Sequence, residues 1–235
     1  MAIYLYETHL HTSPVSRCAK ASVRENLELY KRLGYAGVFI TNHFLDGNVN
    51  VDRSLPYRDR IEYFFSDYEE GLRIGKELGI SVFSGVESSY KGTDFLIYGL
   101  DKAWYLDHPE IEGMKKTEML TLLNEAGALT IQAHPYREAS YINHIRLFPR
   151  HVHGVEVFNA CRTELENRLA EQYAEAYGLV PFAGSDNHRG GGLTLLGGMS
   201  AETPILDEAD FVARVKRGEM TVFRLENKSE DPSLP

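Results

Sequence analysis

The sequence has 235 residues, of which 43% are hydrophobic, so it can bury one sizeable core and is expected to form a single domain over residues 1–235. Its formal net charge of −9 argues against extended nucleic acid or an anionic membrane as a partner, because both surfaces would repel the protein. The two cysteines lie far apart, and neither a secretory signal nor an apolar run of membrane-spanning length is found, which predicts a cytoplasmic protein.

Short apolar runs of strand character alternate along the chain with amphipathic stretches of helical period. Seven runs are predicted to be strands, over residues 3–9, 37–43, 81–88, 94–100, 129–134, 154–159 and 180–186. Four helices are predicted over residues 24–33, 68–78, 117–126 and 163–177, and a glycine ends each of them. This alternation is typical of βαβ units around a parallel sheet. Residues 51–60 are predicted to form a polar loop or lid, and residues 225–235 a flexible tail.

Histidines and acids gather where the predicted strands end, which is where barrel folds carry their functional groups. Six of the seven strands end in such residues, namely His9 with His11, His43, Glu87, His134, Glu156, and Asp186 with His188. A single strand histidine is more often packed than functional, but the joint arrangement favours a metal centre, since imidazoles and carboxylates bind zinc, manganese or iron. Glu156 has two interpretations, a direct ligand or a partner that orients a ligand histidine.

Five motifs in this order resemble the PHP domain, the polymerase and histidinol phosphatase group of metallophosphoesterases. They are His9-Leu10-His11-Thr12, Ile40-Thr41-Asn42-His43, Gly85-Val86-Glu87, Ala133-His134-Pro135 and Gly184-Ser185-Asp186-Asn187-His188, and they extend over residues 3–188. The resemblance implies an α/β fold, a distorted (β/α)7 TIM-like barrel of PHP type. It also implies two or three divalent metal ions, zinc, manganese or iron.

The resemblance also implies a ligand set. One ion would be held by His9, His11, Glu87 and Asp186, a second by His134 with Glu87 as the bridge, and a third by His43 with His188. Residues 13–18, after the first motif, lack the acid or histidine that family members offer the third ion. Water, substrate phosphate or Cys18 is expected to complete that site, and a binuclear enzyme is the alternative. The chain also has no histidine after the fourth predicted strand, which argues against histidinol phosphate as the substrate.

The function implied is hydrolysis of a small phosphomonoester by a hydroxide that bridges the metals, with Glu87, Asp186 and His188 as the catalytic residues. The substrate phosphate is expected to bind three arginines, which are Arg162, Arg17 and Arg189. Arg189 precedes a run of three glycines, whose backbone N–H groups are also expected to bind the anion. The expected partner is therefore a small phosphorylated metabolite.

Three other functions remain open at this level. The same metals can cleave a phosphodiester, as in nuclease-like family members, or hydrolyse an amide or lactone. A noncatalytic metal-binding module is the third alternative. The substrate, the identity of the metal and the oligomeric state do not follow from the sequence, because specificity depends on loop shape and because the same ligands suit several metals.

Overall fold

The computed structural model describes residues 2–227, which form two five-stranded sheets with helices packed against them. The strands are β1 Tyr4–Leu10, β2 Gly37–Ile40, β3 Ser81–Ser84, β4 Val86–Tyr90, β5 Thr93–Tyr98, β6 Leu129–Ala133, β7 Gly154–Asn159, β8 Val180–Gly184, β9 Leu195–Ala201 and β10 Thr221–Glu226. The helices are α1 Val23–Arg32, α2 Tyr57–Leu78, α3 Lys102–Asp107, α4 Lys116–Glu125, α5 Glu164–Tyr177 and α6 Glu208–Lys216, with a single 3₁₀ turn at Pro109–Ile111.

Local chemistry explains where the helices begin and end. Ser22 and Thr163 cap α1 and α5, and each accepts a backbone N–H while a glutamate three residues later bonds back to the capping residue. Helices α2 and α5 end at Gly79 and Gly178, which adopt the left-handed backbone conformation that glycine tolerates without strain. These caps set the points at which the chain turns toward the next strand.

The two sheets meet at the ends of their parallel strands. The first sheet has the order β10-β9-β1-β2-β3 and the second the order β4-β5-β6-β7-β8. An isolated bridge pairs Leu10, at the end of β1, with Asn187 just after β8, and another pairs His43, just after β2, with Glu87 in β4. The carboxyl ends of β1, β2 and β8 are thereby brought together with β4.

An aromatic core fills the space between the sheets. Its cluster draws buried side chains from both sheets and from helix α6. Phe211 of α6 lies with its ring centroid 4.2 Å from that of Phe39, and Phe39 stacks 4.7 Å from Phe83. Tyr98 joins the cluster from the second sheet and donates a hydrogen bond to the Thr8 carbonyl at 2.6 Å. Packing of this kind holds the two sheets in one arrangement.

Several sequence-based expectations need correction. The single strand predicted over 81–88 is divided into β3 and β4, which belong to different sheets. The division falls at Gly85, whose N–H donates a hydrogen bond to the Ile40 carbonyl. A side chain is not tolerated here, because a Cβ added to Gly85 would lie only 2.7 Å from Thr41 Cγ2. Part of the segment predicted as a loop over 51–60 belongs to α2, which begins at Tyr57.

Other differences concern the end of the chain and the overall architecture. Strands β9 and β10 and helices α3 and α6 were not predicted, and the strands form two five-stranded sheets that isolated bridges connect. Leu225 and Glu226 complete β10, and Asn227 is buried with its N–H bonded to Thr194, so the predicted tail does not begin at residue 225. Residues 228–235, the rest of that tail, lie outside the described residues. Over residues 2–227, none of the helices combines the length and apolar character that crossing a membrane requires.

Candidate metal centre

The predicted ligands converge on the floor of a cavity of 860 Å³. His9, His11 and Glu87 are almost completely buried, whereas His43 and His188 are partly exposed and line the cavity. β1 carries His9, and His11 follows its last residue. β4 carries Glu87, and the turns after β2 and β8 carry the partly exposed histidines. The strand-end arrangement in the sequence thus corresponds to one cluster in space.

Glu87 occupies the middle of this cluster. Its Oε1 lies 3.3 Å from His9 Nε2 and 3.3 Å from His134 Nε2. Its Oε2 lies 3.3 Å from His11 Nε2 and 2.6 Å from His43 Nδ1. Each carboxylate oxygen therefore faces a different pair of imidazoles, which is the arrangement needed for a carboxylate that bridges two cations.

Asp186 closes the cluster from the β8 side. Its Oδ1 lies 3.5 Å from both His9 Nε2 and His11 Nε2, and 3.3 Å from His188 Nδ1. Its backbone φ of 54° and the φ of 24° at His134 are left-handed values that side-chain-bearing residues rarely adopt. Backbone strain of this kind persists where the surrounding structure imposes it and is concentrated at functional sites. The strain here falls on two of the seven predicted ligands.

The cluster contains buried polar atoms that lack hydrogen-bond partners. Within the described residues these include His9 Nε2, His11 Nε2 and His134 Nδ1. Leaving such atoms unpaired costs folding free energy, so their concentration around one point fits a bound cation. Three groups can offer ligand atoms within 4.8 Å of one another: His11 with His43 and His188, His9 with Glu87 and His134, and His9 with His11 and Asp186. The residues present therefore fit divalent metal ions.

Burial and nearby charges act on the cluster in both directions, and against burial the neighbouring acidic groups raise the pKa of His9, His43 and His188. Burial by itself raises the pKa of Glu87, but the facing imidazoles, His43 foremost, outweigh burial and hold the pKa well below its ordinary value. Burial, together with His188, lowers the pKa of His11 well below its ordinary value. Glu87 is thus ionised and His11 neutral near pH 7, as coordination requires.

Glu156 orients the ligands and belongs to none of the three groups above. Its Oε1 lies 2.8 Å from His9 Nδ1, and its Oε2 accepts the His134 N–H at 3.0 Å and an amide hydrogen of Asn159 at 2.9 Å. Of the two interpretations of Glu156, the geometry favours the orienting partner.

Glu156→Gln is expected to weaken metal binding by about 10- to 100-fold while the fold is retained. The glutamine NH₂ group must face either His9 Nδ1 or the backbone N–H of His134. In either orientation a donor takes the place of a carboxylate oxygen that accepted a hydrogen bond. Competition with a chelating dye measures the affinity. Glu166→Gln, which removes a carboxylate from the cap of α5, is the control, and an unchanged affinity in Glu156→Gln would count against the orienting role.

Glu7 lies on β1 next to the ligands and is completely buried. Its Oε1 accepts the N–H groups of His9 and Ser185, each at 2.9 Å. Burial outweighs these hydrogen bonds and raises the pKa of Glu7 from its ordinary value of 4.5 to about 7. The folded protein therefore keeps a proton that the unfolded chain releases at lower pH.

A pH-dependent loss of stability follows from Glu7. Its contribution to the free energy of unfolding is fully present below pH 4.5 and is lost as the pH rises through about 7. Glu7→Gln lacks this loss, so its stability relative to the wild type is expected to increase by up to about 3 kcal/mol between pH 4.5 and 8. Urea denaturation of chelated protein at several pH values measures the difference, and parallel pH profiles for the two proteins would contradict the expectation.

The predicted substrate-binding arginines fall into two classes. Arg162 and Arg189 line the cavity, whereas Arg17 is exposed and lies outside its lining. The loop after β1 turns Cys18, the next residue, toward the cavity instead. Arg137 also lines the cavity and pairs with buried Asp94 at 3.1 Å, and it was missed because it follows His134 in a segment with no regular pattern.

Cys18 also lines this cavity, together with His188 and His43. Burial opposes ionisation of the thiol, but these two imidazoles outweigh burial and lower the pKa of Cys18 to about 6. Of the residues offered for catalysis, Glu87, Asp186 and His188 all line the same cavity.

Comparisons with known proteins agree with this geometry. Residues 164–220, which include Asp186 and His188, match the family model PHP_C, described as PHP-associated. No curated protein matches the chain.

Solved structures share the fold at low sequence identity. A two-domain protein from Bacteroides vulgatus that contains a predicted PHP-like metal-dependent phosphoesterase has a TM-score of 0.68 and 15% identity, over 94% of this chain and 65% of that chain. This chain therefore spans less than two thirds of the length of that protein. PsfC from Pseudomonas syringae has a TM-score of 0.61 and 14% identity, over 98% of this chain and 94% of that chain.

An amidohydrolase from Chromobacterium violaceum, with bound SO4 and no metal, has a TM-score of 0.53 and 14% identity over 96% of this chain and 99% of that chain. At such identities the similarity concerns the fold alone. The chain is thus similar to a PHP-like protein in fold over most of its length, and it matches a PHP-associated family model over residues 164–220.

Proposed function

We propose that this protein is a metal-dependent phosphoesterase that hydrolyses a small phosphomonoester. The observation that carries the proposal is the presence of unpaired guanidinium nitrogens in the same cavity as the candidate metal centre. Arg137 Nε and Arg162 Nε are buried and have no hydrogen-bond partner, and both residues line that cavity. Guanidinium groups of this kind bind phosphate oxygens strongly.

The residues of the chain divide the work between two sides of the cavity. Arg162 and Arg137 bind the equatorial oxygens of the phosphate, with Arg189 at the rim. Asp186 orients the attacking water, and His188, whose ring is 26% exposed, stabilises the charge on the leaving oxygen. Bound divalent ions supply Lewis-acid activation of water and neutralise charge on the phosphate. Glu87, His9, His11, His43, His134, Asp186 and His188 are the residues that would hold them.

The fold contributes by fixing where these groups meet. We propose that the two bridged sheets together act as a distorted barrel whose seams are the Leu10–Asn187 and His43–Glu87 bridges. The seams place ligands from both sheets at one end of the structure, as in barrels whose active sites lie at the carboxyl ends of the strands.

Metal analysis combined with turnover tests this function. Protein purified without chelator is assayed for metal content and for hydrolysis of p-nitrophenyl phosphate and bis-p-nitrophenyl phosphate, before and after chelation and after zinc, manganese or iron is restored. Chelator-sensitive turnover that is faster on the monoester is expected. Faster turnover of the diester would favour the nuclease-like alternative, and bound metal without turnover of either ester would favour carbonyl chemistry or a noncatalytic module.

Arg162→Met is expected to lower kcat/KM for the phosphomonoester by about 10- to 100-fold, because a charge-assisted hydrogen bond to phosphate is lost. Steady-state kinetics of the metal-loaded protein measures the effect. Arg17→Met is the matched control, since Arg17 is exposed and lies outside the lining of the cavity. Equal kinetics for the two variants would contradict phosphate binding by Arg162.

A further inference from the structure

The loop between β1 and α1 holds Cys18 against the candidate metal centre. Ser16 is fully buried, and its Oγ lies 3.1 Å from His11 Nδ1 and accepts the His43 N–H at 3.0 Å. On the other side of Cys18, the Lys20 N–H bonds to the His188 carbonyl at 2.7 Å. The chain on both sides of Cys18 is thus tied to the three histidines of one group.

Three imidazole rings lie close together beside the loop that carries Cys18. The ring centroid of His11 lies 4.0 Å from that of His188 and 4.4 Å from that of His43, and the rings of His43 and His188 lie 5.7 Å apart. Cys18 lines the same cavity as His43 and His188. A thiol, two partly exposed imidazoles and a buried imidazole therefore share one corner of the cavity.

The number of ligand atoms limits how the ions can be arranged. His11 is fully buried, its Nδ1 faces Ser16, and its Nε2 has no hydrogen-bond partner. That Nε2 can serve the group with His43 and His188 or the group of His9, His11 and Asp186. A nitrogen has one lone pair, so it cannot bind an ion in both groups. When His11 serves the ion beside Asp186, the site of His43 and His188 keeps only these two of its three histidines.

We propose that Cys18 binds as a thiolate to a divalent ion held by His43 and His188, and that it completes a site of mixed nitrogen and sulfur ligands. Coordination forms a sulfur–metal bond and releases the thiol proton to solvent. A thiolate is a softer ligand than a carboxylate or water, so this site selects zinc over manganese. The inference rests on the metal centre of the proposed function but is independent of the reaction.

Cobalt substitution tests the thiolate ligand without recourse to activity. Chelated protein is titrated with Co²⁺, and the near-ultraviolet absorption is recorded together with the cobalt content. Wild-type protein is expected to show a thiolate-to-cobalt charge-transfer band. Cys18→Ser is expected to lose the band and to bind about one equivalent less cobalt per chain. Cys161→Ser is the matched control, because Cys161 is the other cysteine of the chain and also lines the cavity.

Each outcome decides between alternatives. Wild-type protein that contains cobalt but shows no thiolate band would overturn the inference without the need for any variant. Loss of the band in Cys161→Ser but not in Cys18→Ser would also overturn it. Protein that takes up no cobalt would overturn both the inference and the metal centre. A normal band in protein that hydrolyses neither nitrophenyl ester would support the inference and count against the proposed reaction alone.

Discussion

Glu87→Gln is expected to lower the turnover of p-nitrophenyl phosphate by about 10³-fold, which corresponds to about 4 kcal/mol in activation free energy. The side chain keeps its shape but loses the charge that faces four imidazole nitrogens. Oε1 faces His9 and His134 at 3.3 Å, and Oε2 faces His11 and His43. An amide nitrogen in place of one of these oxygens cannot bind a cation, so the metal content is expected to fall as well.

Elemental analysis and steady-state kinetics on the same preparation test this expectation. Glu118→Gln, on the exposed face of α4, provides a control for the loss of one negative charge. A Glu87→Gln variant with full metal content and near-normal turnover would show that the central carboxylate does not bridge the ions. Circular dichroism of both variants shows whether the secondary structure is retained.

Gly184→Ala is expected to weaken metal binding by about 10- to 100-fold through displacement of His9, although residue 184 binds no metal. A Cβ at this position would overlap the Cβ of His9 and lie 3.0 Å from Glu156 Oε1. Neither atom can yield by rotation of a flexible side chain, because the His9 Cβ is fixed to its strand and Glu156 is bonded to both His9 and His134. The strain is also expected to cost about 1 to 3 kcal/mol of stability.

Gly154→Ala separates the two effects. A Cβ there would lie 2.5 Å from the Val180 carbonyl oxygen and 2.7 Å from Ile131 Cδ1, at the beginning of β7 and away from the ligands at the strand ends. A similar loss of stability without a loss of metal affinity is expected. Chelator competition and urea denaturation of both variants measure the two quantities, and equal metal affinities would contradict the role assigned to the contact between Gly184 and His9.

The sequence by itself identified the candidate ligands, because their chemistry and their placement at strand ends are local properties. His9 lies near the end of β1 with His11 just after it, His134 follows β6, and Asp186 follows β8, as the alternation of apolar runs predicts. Helices α1 and α5 could be predicted for the same reason, since capping residues and helical periodicity act within a few residues of one another.

Only the tertiary structure decided which of these residues meet and which side chains point elsewhere. The break at Gly85, which gives Glu87 to the second sheet, depends on the hydrogen bond that its N–H donates to Ile40 of β2. The position of Cys18 depends on the bonds of Ser16 to His11 and His43 and of Lys20 to His188. The cavity contains Arg137 and excludes Arg17 because loop geometry sets the direction of each side chain. Pairing between distant segments is fixed by packing and hydrogen bonds across the whole chain, and no local pattern of residues encodes it.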